Sequence, residues 1–267
     1  MEKIGLIAGN RKFPLIFAQA AKARGCCVIA VAVKGETSRR LNSLADKVYW
    51  LRLSDFSKMF DIFQKERVEQ VAMAGQISPR RLFCKEVQKS REINDLLDSI
   101  EDKKADTIFG AIAEKLKEKG FEIINSNRYL EEYIPAKGSL TKREPDFTMW
   151  EDIYFGLRLA KAIAYLDIGQ TVAVKAKAIV AVEALEGTDN LIRRAGRLAF
   201  GGITVVKVSK PMQDLRFDIP VAGLNTVKNL VKAKAKCLAI EAGKTLFIDK
   251  EKSARLADKH RISIVAV

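Results

Sequence analysis

Over residues 1–126, short apolar runs typical of buried strands alternate with stretches of helical periodicity. Such alternation is typical of a parallel α/β sheet, because each parallel strand must be followed by a crossover, usually a helix, before the next strand begins. The pattern therefore predicts a domain that is Rossmann-like in general form, with strands buried on both faces. The predicted strands are residues 4–8, 26–33, 47–53, 70–74 and 121–124.

A second α/β pattern follows a stretch of different character. Residues 128–147 contain Pro135 and Pro145, several charges and little periodicity, which is typical of a connection between domains. Beyond this stretch, strand-like and helical segments alternate again to the end of the sequence. A chain of 267 residues is long enough for about two domains. We therefore predict two α/β domains, a Rossmann-like one at 1–127 and a distinct one at 148–267, joined by a linker.

Charge and histidine content restrict the chemistry. The chain has 47 Lys and Arg against 33 Asp and Glu, a formal net charge of +14, which favours anionic partners such as nucleic acid, anionic membranes or phosphate-bearing molecules. The single histidine, His260, disfavours Ser–His–Asp and Cys–His mechanisms and excludes His-rich zinc sites. Catalysis would then depend on carboxylates, basic side chains, backbone amides or a hard metal ion.

The compartment is expected to be the cytoplasm. The four cysteines form no C-x-x-C pair, and nothing in their spacing demands an oxidising environment. The sequence has no run of about 20 apolar residues that could span a bilayer. Its first residues lead directly into a strand-like segment and lack the features of a signal peptide.

Two turns in the first domain are candidate ligand sites. Gly9 and Asn10 follow the first predicted strand, and Gly75 and Gln76 follow the fourth. Ligands of open α/β sheets bind at the carboxyl ends of strands, and glycine allows a close approach of the backbone. Ordinary tight turns are the alternative. The dinucleotide pattern G-x-G-x-x-G is incomplete, and Lys34 stands where a ribose-binding acid would close the second strand.

An acidic and basic cluster lies in the second domain. Glu183, Glu186 and Asp189 concentrate carboxylates around a predicted helix start, with Thr188 and Arg193 beside them. Carboxylates next to amide donors and guanidinium groups suit Mg²⁺ and phosphate oxygens. A simple helix cap is the alternative interpretation.

A second polar cluster follows. Lys210, Gln213, Asp214, Arg216 and Asp218 fall within nine residues. If this segment is extended, the last three side chains lie on one side of it, which suits a phosphate and metal site. The alternative is a solvated loop with salt bridges. Together, the two clusters indicate pyrophosphate chemistry with a hard cation and an oriented water.

Five motifs spread over the whole chain carry a family likeness. They are G-L-I-A-G-N at 5–10, A-G-Q-I-S at 74–78, L-D-I-G-Q at 166–170, V-E-A-L-E-G-T-D at 182–189 and K-P-M-Q-D-L-R-F-D-I-P at 210–220. The last two are long and specific. With these motifs the sequence resembles UDP-2,3-diacylglucosamine pyrophosphatases of the LpxI type, which act in lipid A biosynthesis in Gram-negative bacteria.

The resemblance implies an activity and a site. Members of that family hydrolyse the pyrophosphate of UDP-2,3-diacylglucosamine with Mg²⁺, giving UMP and 2,3-diacylglucosamine 1-phosphate. They have a Rossmann-like N-terminal domain and a distinct C-terminal domain, with the lipid held between them. The key aspartate of the family lies in an R-x-D-x-P motif, which assigns a catalytic role to Asp218 here.

Motif membership and chemistry suggest the remaining roles, most of them in the second domain, which is expected to be catalytic. Asp189 is predicted to be a second catalytic carboxylate. The predicted Mg²⁺ ligands are Asp214, Asp218 and Glu186. The predicted substrate-binding residues are Gly9, Asn10, Gly75, Gln76, Thr188, Arg193, Lys210, Gln213 and Arg216.

The expected partners follow from the substrate. A diphosphate with two acyl chains is anionic at one end and apolar at the other, so a protein of charge +14 is expected on the inner face of the inner membrane, bound peripherally. A homodimer is the commonest assembly for such chains. The apolar stripe of Phe56, Phe60 and Phe63 is interpreted as core, with an acyl pocket as the alternative.

Three other function classes predict different behaviour. A non-catalytic nucleotide or lipid-phosphate binding protein would bind without turnover. A nicotinamide-dependent oxidoreductase is disfavoured by the incomplete glycine motif. A nucleic-acid binder is disfavoured because the basic residues are dispersed and no aromatic stacking platform is present.

Overall fold

A computed structural model describes residues 1–77, 91–102, 105–211, 214–216 and 219–267. The described chain divides into two compact units. The N-terminal unit contains residues 1–130 together with 214–216, and the C-terminal unit contains the described residues from 131 to 211 and from 219 to 267. The chain therefore enters the C-terminal unit twice.

The N-terminal unit is built on a parallel sheet. Its described strands pair in the order β3-β2-β1-β4-β5, and all of these pairs are parallel. The chain runs outward from β1 through β2 to β3, then returns to place β4 on the other side of β1. Because the strand order reverses there, the ends of β1 and β4 form the point at which ligands bind in such sheets. The strands are β1 (Lys3–Ala8), β2 (Cys27–Val33), β3 (Lys47–Leu51), β4 (Gln70–Ala74) and β5 (Glu122–Ile123); the helices are α1 (Phe13–Ala23), α2 (Lys58–Lys65), α3 (Arg91–Asp98) and α4 (Ala105–Glu118).

The aromatic stripe of the N-terminal unit lies in its core. Phe56 and Phe63 are buried and Phe60 packs against the same cluster, which includes strand residues such as Ile29 and Val71. Burying a large apolar side chain of this kind stabilises a fold by about 1.5–3 kcal/mol. The interpretation of this stripe as core is therefore confirmed.

The C-terminal unit has a mixed sheet and a small parallel ribbon. Its described strands pair in the order β6-β13-β11-β9-β7-β8, in which β9, β11 and β13 are parallel and the other three are antiparallel to their neighbours. A separate two-stranded sheet joins β10 and β12. The strands are β6 (Gly138–Ser139), β7 (Thr171–Lys175), β8 (Ala178–Val182), β9 (Thr204–Lys207), β10 (Val221–Gly223), β11 (Cys237–Ile240), β12 (Leu246–Ile248) and β13 (Ser263–Ala266); the helices are α5 (Phe147–Tyr165), α6 (Thr188–Leu198), α7 (Leu224–Lys232) and α8 (Lys250–Lys259).

Alternate residues of the large sheet supply two cores. Val205 and Leu238 belong to a buried cluster with residues of α6, α7 and α8. Their neighbours Val206 and Ala239 belong to a second cluster with residues of α5. Helices therefore cover both faces of the sheet, and the predicted α/β class is confirmed for both units. No helix in the described part of the chain combines the length and apolar character needed to cross a bilayer.

The segment expected to link the domains belongs to the C-terminal unit beyond residue 130. Gly138 and Ser139 form β6 and pair with β13, and Leu140 N donates to Ile264 O at 2.8 Å. Pro135 O accepts a hydrogen bond from Gly243 N at 3.0 Å. Most of the sequence-predicted linker at 128–147 is thus an edge of the second unit's own structure.

Candidate functional site

Two glycine turns meet at the carboxyl ends of β1 and β4. Gly9 N donates to Ala74 O at 2.8 Å, and Asn10 N donates to Gln76 O at 2.7 Å. A Cβ atom on Gly9 would lie 2.5 Å from Gln76 O, and one on Gly75 would lie 2.6 Å from Asn10 O. Gly75 also has a φ of 85°, in the left-handed region that favours glycine. The two turns need glycine because their backbones pack directly on each other.

The side chain of Asn10 connects this edge to the next strand. Its Nδ2 donates to Glu36 Oε2 at 2.8 Å, while its Oδ1 is buried without a hydrogen-bond partner among the described residues. Glu36 lies just beyond β2 and was assigned no role from the sequence. Gln76 is exposed. The structure therefore brings together Gly9, Asn10, Gly75 and Gln76 at the reversal point of the sheet, and Glu36 with them.

Asp214 and Arg216 form a local ion pair in the N-terminal unit. Arg216 Nε donates to Asp214 Oδ1 at 2.9 Å and Arg216 Nη2 donates to Oδ2 at 2.6 Å. Hydrogen bonding to the guanidinium lowers the pKa of the Asp214 carboxyl. Ser126 N and Oγ both donate to Leu215 O, at 2.9 and 3.1 Å, and hold the segment on the unit. Residues 215–216 form a turn, so the condition of an extended segment is not met at these positions, and the Asp214–Arg216 pair agrees with the alternative of a loop with salt bridges.

In the C-terminal unit, a threonine hydroxyl joins a buried lysine to a buried carboxylate. Lys207 Nζ donates to Thr188 Oγ1 at 2.9 Å, and Thr188 Oγ1 donates to Glu183 Oε1 at 2.8 Å. Lys207 is 6% exposed and Glu183 is 8% exposed. Lys207 ends β9, Thr188 begins α6 and Glu183 follows β8. The three residues place a cation, a hydroxyl and a carboxylate at the N-terminal end of a helix, where anions are stabilised.

Residues of the L-D-I-G-Q motif contact Glu183 and help to hold it in place. Gln170 N donates to Glu183 Oε2 at 3.3 Å, and a Cβ atom on Gly169 would lie 2.2 Å from Glu183 O. Lys210 Nζ lies 2.5 Å from Asp167 Oδ1. Three of the sequence motifs therefore meet at one edge of the C-terminal sheet, and Lys210 is held there by an ion pair.

The other predicted residues in or just before α6 have different partners. Asp189 Oδ2 accepts a hydrogen bond from Asn225 Nδ2 at 2.6 Å. Glu186 pairs with Arg194. Arg193 donates to Asn190. None of these contacts joins the Lys207–Thr188–Glu183 chain.

Two of the three predicted Mg²⁺ ligands, Asp214 and Glu186, are already paired with arginines. No group of three His, Cys, Asp or Glu side chains in the described part of the chain is arranged to hold a metal ion. The oxygens of Asp214 are paired with Arg216. Burial raises the pKa of Glu186, but hydrogen bonds from Arg194 and backbone amides lower it overall and keep the carboxylate paired. Asp214 and Glu186 as described therefore do not fit Mg²⁺ ligands.

Asp218 and Gln213 lie outside the described residues. Their assigned roles, catalysis and metal binding for Asp218 and substrate binding for Gln213, stay predictions.

Sequence reasoning missed two lysines that the structure places at this edge. Lys207 ends a strand in the run V-V-K-V-S-K, where a lysine reads as solvent-exposed. Lys161 Nζ donates to Glu241 Oε2 at 2.6 Å, and Ser209 N donates to the same oxygen at 2.9 Å. Lys207 stands at the end of an apolar strand, which was the available signal, whereas Lys161 lies within α5 and had none. Both have partners that are distant in the chain.

Comparison with known protein families covers both units. The model of the LpxI N-terminal domain matches residues 3–133, and the model of the LpxI C-terminal domain matches residues 136–265. The chain belongs to the LpxI family. The resemblance predicted from the five motifs is thus confirmed, and the boundary between the two LpxI domains falls close to the division between the two units.

A curated LpxI relative matches at full length. It is the UDP-2,3-diacylglucosamine pyrophosphatase LpxI of Caulobacter vibrioides, 29% identical over 279 residues, covering 100% of this chain and 98% of the relative.

Solved structures add less. The biotin carboxylase domain of 2-oxoglutarate carboxylase from Hydrogenobacter thermophilus matches with a TM-score of 0.30 at 15% identity, covering 74% of this chain and 41% of that one. A glycinamide-RNase-transformylase T from Mycobacterium tuberculosis matches with a TM-score of 0.26 at 13% identity, covering 52% and 38%. Similarities this low carry no argument about function.

Proposed function

We propose that this LpxI family member hydrolyses the pyrophosphate bond of UDP-2,3-diacylglucosamine in lipid A biosynthesis. Water attacks one phosphorus, the bridging P–O bond breaks, and UMP and 2,3-diacylglucosamine 1-phosphate leave. The observation that carries the proposal is the match of both LpxI domain models over nearly the whole chain. The full-length relative from Caulobacter vibrioides, named as a UDP-2,3-diacylglucosamine pyrophosphatase, supports the same substrate.

The C-terminal edge offers groups suited to a phosphoryl group. Lys207 supplies a buried positive charge beside Thr188, and the N-terminal end of α6 adds the partial positive charge of the helix. Such preorganised positive groups stabilise the charge that develops on phosphoryl oxygens. We propose that Thr188, Lys210 and Arg193 bind the substrate from this unit.

Residues of the N-terminal unit are proposed to contact the substrate as well. Gly9, Asn10, Gly75 and Gln76 lie at the reversal point of the parallel sheet, where ligands of such folds bind. Arg216, paired with Asp214, adds a guanidinium group on the same unit.

Asp218 and Asp189 are the proposed catalytic carboxylates. A carboxylate in this role accepts a proton from the attacking water. That the reaction requires Mg²⁺ is proposed separately from the hydrolysis itself, because the predicted ligands Asp214 and Glu186 are paired with arginines. No step of the reaction is assigned to the metal.

The cellular setting is proposed from the substrate and the charge. A diacylated substrate lies in a membrane, and a net charge of +14 favours its anionic cytoplasmic surface. We therefore propose a peripheral protein on the inner face of the inner membrane, acting as a homodimer and without a nucleic-acid partner.

The experiment is incubation of the purified chain with detergent-dispersed UDP-2,3-diacylglucosamine, with Mg²⁺ or with EDTA, followed by mass identification of the products. UMP and the lipid monophosphate in equal amounts are expected, and only with Mg²⁺. Substrate binding by folded protein without products under any metal condition would indicate a non-catalytic binding protein. Products in EDTA would overturn the metal dependence alone.

A further inference from the structure

The end of α6 and the loop after it expose two apolar side chains in the C-terminal unit. Leu198 is 61% exposed and Phe200 is 92% exposed. Scattered apolar residues are common on protein surfaces, so exposure alone does not indicate a partner. The backbone and the charges around Phe200 make this case different.

The backbone holds Phe200 in an unfavourable conformation. Its φ is 54°, in the left-handed region that bulky side chains rarely adopt. Lys175 holds the loop in place, because its Nζ donates to Ala199 O at 2.7 Å and to Gly201 O at 3.1 Å. Phe200 stands just after the C-terminal end of α6, where a left-handed residue commonly ends a helix but is usually glycine or asparagine. A phenylalanine with its ring in solvent is unusual at such a position.

Basic side chains surround this ring. Phe200 borders an open cavity of about 1130 Å³ on the outer side of α6 and α7. The carboxylate among the described lining residues is Glu186, which is paired with Arg194. The basic residues that line the cavity are Arg193, Arg194, Arg197, Lys232 and Lys234. Leu198, Phe200, Arg197, Lys232 and Lys234 are called the basic face below.

The cavity is shaped by a close approach of two helices. A Cβ atom on Gly196 would lie 2.5 Å from Ala233 Cβ, so α6 and the end of α7 pack tightly at this point. Lys234, just after α7, is thereby held beside the loop that carries Phe200. The basic face therefore combines apolar and cationic groups beside a closely packed pair of helices.

We propose that the basic face binds the surface of an anionic lipid bilayer. Phe200 enters the boundary between headgroups and acyl chains, and Arg197 and Lys234 contact headgroup phosphates. An exposed apolar ring on the same cavity as basic groups matches a surface that is apolar below and anionic above. The inference rests on the proposed function in one respect, which is that a diacylated substrate lies in a bilayer.

Nucleic acid fits this face less well. Single-stranded nucleic acids stack their bases on platforms of several aromatic side chains. Here one phenylalanine is accompanied by the aliphatic Leu198, which offers no stacking surface.

The test measures binding of the full chain to vesicles, without substrate. Vesicles of phosphatidylcholine mixed with phosphatidylglycerol are compared with vesicles of phosphatidylcholine alone, by co-sedimentation. One variant is Phe200→Asn, because asparagine accepts a positive φ and the fold is therefore retained. The second variant combines Arg197→Gln with Lys234→Asn.

Matched controls change similar groups elsewhere on the C-terminal unit. Phe147→Ser removes another exposed phenylalanine, which is 77% exposed at the start of α5. Lys252→Gln with Lys259→Gln removes two exposed lysines of α8. We expect wild type and both controls to bind the anionic vesicles and each basic-face variant to bind about tenfold more weakly or worse.

Several outcomes would overturn the inference. They are no binding of wild type to anionic vesicles, unchanged binding by folded Phe200→Asn, or binding of a single-stranded oligonucleotide through the same residues without vesicle binding. Hydrolysis of detergent-dispersed substrate is measured in parallel and is expected to be unchanged in the basic-face variants. Vesicle binding without hydrolysis would contradict the proposed function only, and hydrolysis without vesicle binding would contradict this inference only.

Discussion

A single hydroxyl, Thr188 Oγ1, joins the buried ammonium of Lys207 to the buried carboxylate of Glu183. Buried charges are costly unless they are paired and hydrogen-bonded. Replacing a whole buried ionic group by apolar residues of similar volume is often neutral, but removing one member leaves the other charge buried without its partner and costs about 3–5 kcal/mol. The buried lysine is therefore weak evidence for a role in stability alone, and substrate phosphate is a further anion that the proposed function provides for it.

Substitution of Lys207 separates these two roles. Lys207→Met retains the unbranched chain but removes the charge, so we expect turnover to fall about a hundredfold, as when one group that stabilises developing charge is lost. The free energy of unfolding is expected to fall by up to about 3–5 kcal/mol, because the buried Glu183 carboxylate loses its cation. Steady-state kinetics and denaturant titration measure both quantities, with exposed Lys228→Met on α7 as the control. Full activity in Lys207→Met would refute a role for this cation.

The sequence revealed the members of the site that stand in motifs but not their partners. Thr188 and Glu183 were identifiable because carboxylates and hydroxyls concentrate before a helix start. Lys207 was not, because its partner lies 19 residues away and no local pattern distinguishes a buried lysine from an exposed one at a strand end.

At the scale of elements, the two glycine turns that follow β1 and β4 pack closely on each other. Gly9→Ala would force a Cβ to within 2.5 Å of a backbone oxygen. We expect this substitution to lower the free energy of unfolding by about 1–3 kcal/mol, the usual cost of overpacking. Gly110→Ala on α4 is the control, since its Cβ would meet no atom of the described residues within 4 Å outside the backbone of its own helix.

The control has an expected sign of its own. Gly110→Ala should raise stability by about 0.5–1 kcal/mol, because alanine loses less conformational entropy than glycine on entering a helix. Denaturant unfolding of both variants measures the two effects. Equal stability of Gly9→Ala and wild type would show that the turns do not need this close approach.

The hydrogen bonds of Glu241 with Lys161 of α5 and with Ser209 make the stability of the fold depend on pH. Burial raises the pKa of Glu241, but hydrogen bonds from Lys161, Ser209 and Lys244 outweigh it and lower the pKa to about 2, from an ordinary value of 4.5. The stabilising contribution is therefore present above about pH 4.5 and is lost as the pH falls towards 2.

Glu241→Gln tests this dependence. We expect the stability advantage of wild type over Glu241→Gln to be at most about 3 kcal/mol at neutral pH and to vanish as the pH falls towards 2. Unfolding curves across that range measure it. Glu251→Gln, in an exposed pair with Arg255, should show no such pH dependence. A constant difference between wild type and Glu241→Gln would contradict the lowered pKa.

Long apolar elements were predictable and short ones were not. The continuous runs of β1, β2 and β4 announce buried parallel strands, and the structure has them there. By contrast, β6 contains two residues and β10 three, too few to show a period. These short strands exist because β13 and β12 offer them unpaired backbone groups, which is a tertiary effect that local patterns cannot encode.

At the scale of the whole molecule, the chain belongs to the LpxI family and shares its two domains. Sequence pattern predicted two α/β domains in the observed order. It did not predict that residues 214–216 belong to the N-terminal unit, because Ser126, which donates to Leu215 O, lies 89 residues earlier. Residues 214–216 therefore belong to the N-terminal unit in the structure, although the described residues on either side of them in the sequence belong to the C-terminal unit.

Hydrolysis in water enriched in ¹⁸O tests the central claim most directly. We expect wild type to convert UDP-2,3-diacylglucosamine to UMP and the lipid monophosphate in equal amounts, with one labelled oxygen in one of the two products. Folded Asp218→Asn should form neither product at more than about a hundredth of the wild-type rate, because the group that accepts the proton from water is lost. Unlabelled products, or wild-type turnover by Asp218→Asn, would contradict it.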